Sequence, residues 1–204
     1  MELLDGIKGR RAINFFDPQR EVEEKTLMEI LKIAWLAPSS FNLQPWEVIV
    51  VKSKEEKKIL REIAFGQPKV EEASAVLIII ANPEAVEENL EEILKNRLEL
   101  GYMKKEQIEV YRNMPKKLYG EKESTKRKIF AAKNAGLFAM NLMLAARGYG
   151  LETHPMDGFD EEKLKERYKI DKEKLVPMLI ALGYPKKDLK LFPQAHRFFK
   201  VKII

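Results

Sequence analysis

The sequence predicts an α+β fold: one mixed or antiparallel sheet set among helices, without regular βαβ alternation. Three observations carry this. The strand-forming runs are few and short, and a long helical stretch separates them into two groups. From 84 to 128 the chain is charged at 21 of 45 positions (10 acidic, 11 basic), and its apolar residues keep helical spacing. From Ile129 to Arg147 the pattern reverses, to a helix that is apolar around most of its girth.

Taken in chain order, Met1 to Arg10 reads as a short helix with Leu3, Leu4 and Ile7 on one face. Arg10 to Phe16 is a connector ending at the turn pair Asp17-Pro18. Glu21 to Ala37 is amphipathic, with Leu27, Ile30, Leu31, Ala34 and Trp35 at helical spacing, and Pro38 stops it. A loop follows through Asn42. Glu47 to Val51 is β-branched and reads as a strand. Lys54 to Phe65 is a charged amphipathic helix, broken by Gly66-Gln67-Pro68. Val70 to Ala73 gives one more helical turn, and Ala75 to Ala81 is a buried strand.

The charged stretch is a helical excursion over the core, with Leu90, Ile93, Leu94 and Leu98 as its apolar residues. The apolar helix after it must be buried on most sides, as a central helix or at a subunit interface. Gly148 and Gly150 end it. Leu151 to His154 is a short strand, and Pro155 to Phe159 is a turn. Asp160 caps a helix over Glu161 to Tyr168. Leu175 to Gly183 is another buried strand. The tail from Phe192 is basic and aromatic, and Phe198 to Ile204 is strand-like.

The whole is 204 residues, enough for a single domain over 1–204. No uninterrupted apolar run approaches the roughly 20 residues that span a bilayer. No apolar leader opens the chain, so the expected location is cytoplasmic. There are no cysteines, which excludes disulfides, thiolate nucleophiles and cysteine-bound metals. With only His154 and His196 besides, no metal is expected. Redox chemistry would then need a bound organic cofactor. The net charge of +5 is spread in mixed signs. That suits a solvated surface with an anion site better than the basic, aromatic stripe of a nucleic-acid binder.

Several groups could carry chemistry, each with a plain alternative. Arg10-Arg11 at the end of a helix suits the dipole as mere surface, and as two planar forks suits a phosphate. Ser39, Ser40, Asn42 and Gln44 form either a capped turn or a reader of a heteroaromatic edge. No G-x-S-x-G surrounds the serines, so a nucleophile is not indicated. No dinucleotide or Walker glycine motif occurs. Asp157-Gly158 is a plain turn, or one whose backbone N–H approaches a ligand closely. Lys69 taken alone reads as a surface lysine. His154 and His196 read as core or surface residues.

Together the segments RRAINFF (10–16), APSSFNLQPWEVIVV (37–51), GQPKVEEASAVLIIIA (66–81), NAGLFAMNLMLAARGYGL (134–151) and PMDGFD (155–160) resemble the nitroreductase family, in its order and spacing. The resemblance implies an FMN-dependent NAD(P)H oxidoreductase with an intertwined homodimer and FMN at the subunit interface. It assigns the phosphate to Arg10, Arg11 and Arg197. Ala12 stands where members usually have Ser, and Asn14 where many have a basic residue. Gln67 and Lys69 would face the pyrimidine and N1/O2 edge. Pro38, Ser39, Ser40 and Asn42 would come from the partner subunit. Pro155, Met156, Asp157 and Gly158 form the turn whose backbone faces flavin N5. No side chain is a catalytic acid or base. Phe41, Tyr111 and Tyr119 would line the substrate side, roofed by 84–128.

The implied activity is ping-pong hydride transfer, with NADH or NADPH as reductant and nitroaromatics or quinones as acceptors. The alternatives are a flavin-binding protein without turnover, or a flavin-modifying or dehalogenating relative on the same fold. Neither nucleic acid nor membrane is an expected partner.

Overall fold

The structure, a computed structural model, describes residues 2–191, 193–195 and 197–204. Four strands form its sheet: β1 (Trp46–Val51), β2 (Ala75–Ala81), β3 (Glu152–Met156) and β4 (Leu175–Gly183). Their order is β1-β2-β4-β3, and every pair is antiparallel. All seven residues of β2 are buried. A central strand that is apolar on both faces requires a layer on each side of the sheet. The helices supply both.

One face is covered by α2 (Glu24–Ala34) and α7 (Thr125–Gly148), whose Leu27, Ile30, Phe138 and Leu142 pack on Leu77, Ile79, Ile180 and Leu182. The opposite face is covered by α3 (Lys54–Ile63), α4 (Pro68–Glu72) and α8 (Glu161–Tyr168). There Leu60, Val70 and Leu164 meet Val76, Ile78 and Leu179. The short α1 (Leu3–Gly9) lies against α7. Two further helices, α5 (Ala85–Glu99) and α6 (Ile108–Tyr119), make the excursion. α5 buries Ala85, Val86, Leu90 and Leu94, whereas α6 buries only Pro115.

The helix 161–168 and the strands 75–81 and 175–183 run as the sequence predicts. Other boundaries move for local reasons. α2 begins at Glu24 rather than Glu21, because buried Val22 and a 2.8 Å bond from Ser74 Oγ to the Arg20 carbonyl hold 20–22 extended. α7 begins at Thr125, where Ser124 Oγ accepts from the Arg127 N–H. β3 continues through Pro155 to Met156, so these two are strand rather than turn; β3 is an edge strand, where proline is tolerated.

The strand expected over 198–204 is absent among the described residues: the segment is irregular, with Phe199 and Ile203 over 90% or at 90% exposed. A strand needs an edge to pair with, and this segment follows none of its own chain. Phe192 and His196 lie outside the described residues.

α7 has the length and composition of a membrane span, yet half of its apolar window is buried inside the fold. The remainder is open. Ile129, Leu137 and Met140 on α7, Met28 and Ile33 on α2, and Trp35 and Leu36 after it are exposed apolar residues.

The base of the excursion gathers on one buried side chain. Arg127 is fully buried, and its guanidinium donates to the Pro83 carbonyl at 3.1 Å, the Gly120 carbonyl at 2.6 Å and Glu87 Oε2 at 2.7 Å. The chain entering α5 and the chain leaving α6 therefore meet on this side chain, and the Lys122–Glu84 ion pair joins them as well. Arg127→Met leaves both carbonyls unmatched and should cost roughly 2–4 kcal/mol. Urea unfolding reads that loss, and amide exchange should show it concentrated in 85–119 while β2 and β4 stay protected.

Candidate functional site

The outer edge of β3 is the starting point, because an unpaired strand edge leaves its N–H and C=O groups open. The segment after α1 fills part of it. Ala12 forms a parallel bridge to Thr153, and Ile13 N–H donates to the Thr153 carbonyl at 3.1 Å. His154 Nδ1 lies 3.0 Å from the Ile13 carbonyl. A carbonyl only accepts, so Nδ1 carries the proton and Nε2 is left as an acceptor. This lacing fixes Arg10, Arg11, Ala12 and Asn14 beside the strand that ends in Pro155, Met156, Asp157 and Gly158.

Arg10 caps α1, with its N–H on the Gly6 carbonyl. Arg11 Nη1 donates to the carbonyls of Lys8 and Arg10 at 3.0 and 3.1 Å. Arg10 Nη1 and Arg11 Nε are buried and have no hydrogen-bond partner. Arg11, Ala12 and Asn14 share a cleft of about 230 Å³ with Arg197 from the tail. Unmatched guanidinium N–H groups beside a cavity fit an oxyanion, whose oxygens accept charge-assisted bonds.

Behind the pair stands Arg147, ion-paired to Glu152. Gly9 makes room for it: a Cβ there would lie 2.6 Å from Arg147 Nη2. Burial pushes the Glu152 carboxyl up, against the opposing pull of Arg147, Arg10 and Arg11.

The other end of the site is polar and precise in its contacts. Lys69 Nζ reaches Asn14 Oδ1 at 3.3 Å, and burial lowers its pKa. Gln67 Nε2 donates to the Gly158 carbonyl at 2.7 Å and to Ala64 at 3.1 Å. A side chain at 158 would crowd that amide, since a Cβ would sit 3.2 Å from it. Asp157 and Gly158 are exposed, whereas Met156 is buried in the core behind them. Ten of the expected ligand-binding residues, with Arg197, thus share one edge.

Pro38, Ser39, Ser40 and Asn42 do not join them. Their loop leads into β1, the opposite edge of the sheet, three strand spacings or about 14 Å away. The loop is held in an unusual shape. Phe41, Asn42 and Gln44 have φ of 59°, 61° and 48°. Ser39 Oγ accepts from Gln44 N–H at 2.9 Å, and Asn134 Oδ1 accepts from Ser40 N–H at 3.1 Å.

Phe41 meets Tyr119 edge-on at 6.3 Å, and Tyr111 lies 5.7 Å from the Arg97 guanidinium. Arg97 in turn donates to the Phe41 carbonyl. The three aromatic residues expected to line a substrate therefore gather between this loop and the excursion. Sequence reasoning missed His154, Arg147, Glu152 and Asn134. For Asn134 a signal existed, a lone amide within an apolar helix.

The fold is an antiparallel sheet between helices, with unmatched arginine N–H groups at one end of its β3 edge and the Gln67–Gly158 and Lys69–Asn14 contacts at the other. More specifically, the chain belongs to the nitroreductase family, whose model matches residues 7–184. YdgI of Bacillus subtilis (strain 168), which by name is an NAD(P)H nitroreductase, is 37% identical over 188 residues, covering 89% of this chain and 88% of that one. An NADH dehydrogenase of Thermus thermophilus is 35% identical, with 88% and 84% covered. A structure from Exiguobacterium sibiricum 255-15, solved in complex with FMN, superposes with a TM-score of 0.85. It is 30% identical over 97% of this chain and 93% of its own.

His154 makes the lacing pH-sensitive. Its pKa falls to about 4, chiefly through burial and next through the Lys69 charge; the Ile13 bond opposes both. The unfolded chain therefore takes up a proton near pH 6.5 that the native state refuses until about pH 4. Stability should be fully present above pH 6.5 and decline between 6.5 and about 4. Urea midpoints at pH 7 and pH 5 measure this, and His154→Gln should flatten the difference.

Proposed function

We propose that the protein is a cytoplasmic, homodimeric NAD(P)H-dependent oxidoreductase that uses FMN to reduce nitroaromatic or quinone-type acceptors in a ping-pong cycle. The observation that carries this reading is the β3 edge itself: buried, unmatched arginine N–H groups at one end and the Lys69–Asn14 and Gln67–Gly158 contacts at the other. When bound, FMN would supply the hydride-transfer chemistry that links the nicotinamide to the acceptor.

The protein's residues bind, orient and exclude water. Arg10, Arg11 and Arg197 hold the phosphate. Lys69, kept in place by Asn14, sets a cation at the N1/O2 side, where it favours the reduced cofactor. Gln67 spends its Nε2 on Ala64 and Gly158, and so offers Oε1 to the ring edge. Asp157 and Gly158 bring backbone N–H groups to the reacting side.

Loop 38–42 serves the flavin of a second copy, because in its own chain it stands at the far edge of the sheet. The exposed apolar residues of α2 and α7 suit burial in such a pair. The open edge of β1 and the apolar tail suit an intertwined one. Helices α5 and α6 roof the site, with Phe41, Tyr111 and Tyr119 on its substrate side.

The decisive experiment is a visible spectrum of the purified protein. Flavin bands should bleach anaerobically with NADH or NADPH and return with a quinone or a nitroaromatic. A colourless protein that takes up no FMN overturns the reading. The phosphate assignment has its own test. Arg10→Ala and Arg11→Ala should each weaken FMN by about 10- to 100-fold, as expected for lost charge-assisted bonds. Both should leave affinity for riboflavin, which lacks the phosphate, unchanged.

A further inference from the structure

Asn134 is 1% exposed and sits among Phe130, Ala131, Ala135 and Phe138 on the buried side of α7. An amide in such surroundings is costly unless both of its ends are matched. Both are. Nδ2 donates to the Phe130 carbonyl, four residues back, at 2.7 Å. Oδ1 accepts the Ser40 N–H at 3.1 Å. The first bond locks the amide plane, and the locked plane aims Oδ1 out of the helix at the loop.

The loop needs an external hold. Three of its four residues from Phe41 to Gln44 are left-handed and none is glycine, at a cost of roughly 1–2 kcal/mol each. The Ser39–Gln44 bond closes the loop on itself but does not set where it stands relative to the core. Asn141, two turns further along α7, fixes the stem by donating to the Ile33 and Ala34 carbonyls at 3.0 and 3.2 Å. Asn134 fixes the tip.

We propose that Asn134 is a positioning residue: through the Ser40 N–H it sets the height and tilt at which loop 38–42 meets the flavin. The inference rests on the flavin-facing reading of that loop. Asn134 itself touches no cofactor. Its effect passes through the backbone of Ser40 to the side chains of Ser39, Ser40 and Asn42.

The test uses the full-length protein in apo and FMN-loaded form. Asn134→Ser retains a hydroxyl for the Phe130 carbonyl but is too short to reach Ser40. It should weaken FMN about tenfold in fluorescence titration of the apoprotein, the size of one lost net hydrogen bond. It should also slow flavin bleaching by NADH at saturating FMN. Asn134→Asp is the rescue. When protonated it is isosteric with asparagine and makes both bonds; when ionised it faces the Phe130 carbonyl with a negative charge. Its FMN affinity relative to the parent should be near one at pH 5 and fall by pH 8.

If Asn134→Ser lowers only the thermal unfolding midpoint, with FMN affinity and bleaching rate unchanged, Asn134 is structural alone and the proposal is overturned. A parallel variant, S40A/N42G, separates the two failures. Should it also leave FMN affinity and bleaching unchanged, the flavin-facing reading of the loop has failed instead.

Discussion

The site depends on how the chain satisfies the open edge of β3. A four-stranded antiparallel sheet has two edges, and each exposes a row of backbone donors and acceptors. At β3 the chain uses its own segment 12–13, through Ile13 N–H to Thr153 and His154 Nδ1–H to Ile13. That pairing is only two residues long. Its consequence is large, because it brings residues from the first turn of the chain beside a turn some 145 positions later. Arg11 shares a cleft with the tail, and Asn14 meets Lys69. No covalent or metal tie is needed to assemble the site.

The second organising element is α7. A helix apolar on most sides packs well, but packing of that kind is non-directional and specifies little. The polar interruptions provide direction. Arg127 closes the base of the excursion, Asn134 holds the tip of loop 38–42, and Asn141 caps the carbonyl end of α2. The Ile33 and Ala34 carbonyls already accept the Leu36 and Ala37 N–H groups at 3.1 and 3.0 Å, and Asn141 adds a second donor to each, which ties the last turn of α2 to α7.

Much of the fold is legible in the sequence because period and composition report burial. The all-apolar run at 75–81 demands a central strand, and Asp160 announces α8 by its capping chemistry. The candidate site residues are named through motif order, and in the fold Gln67 contacts Gly158 and Lys69 contacts Asn14 along the β3 edge. What is not legible depends on long-range contacts. His154 looks like any strand residue until its ring is seen to bond a carbonyl 141 positions away. Glu152 and Arg147 look like surface charges, and become a half-buried pair only because Gly9 lets the guanidinium pass. The tail reads as a strand from its residues alone, and pairing depends on an edge that its own chain does not bring to it.

The charges behind the site explain why two adjacent arginines are tolerated there. Around the Glu152 carboxylate stand Arg147, Arg10 and Arg11. Three guanidiniums against one carboxylate leave a local surplus of about two positive charges. Like charges brought together in a half-buried setting repel, and Glu152 offsets only part of that. A phosphate monoester near neutral pH carries about −1.5 to −2 charges. The surplus is thus of the size a phosphate would offset, and Arg10 Nη1 and Arg11 Nε stand there without partners. The raised pKa of Glu152 belongs to the same balance. Burial destabilises its charge, and the arginines that restrain it are those an incoming phosphate would engage. The carboxylate thus serves as the resident counter-ion of the three guanidiniums.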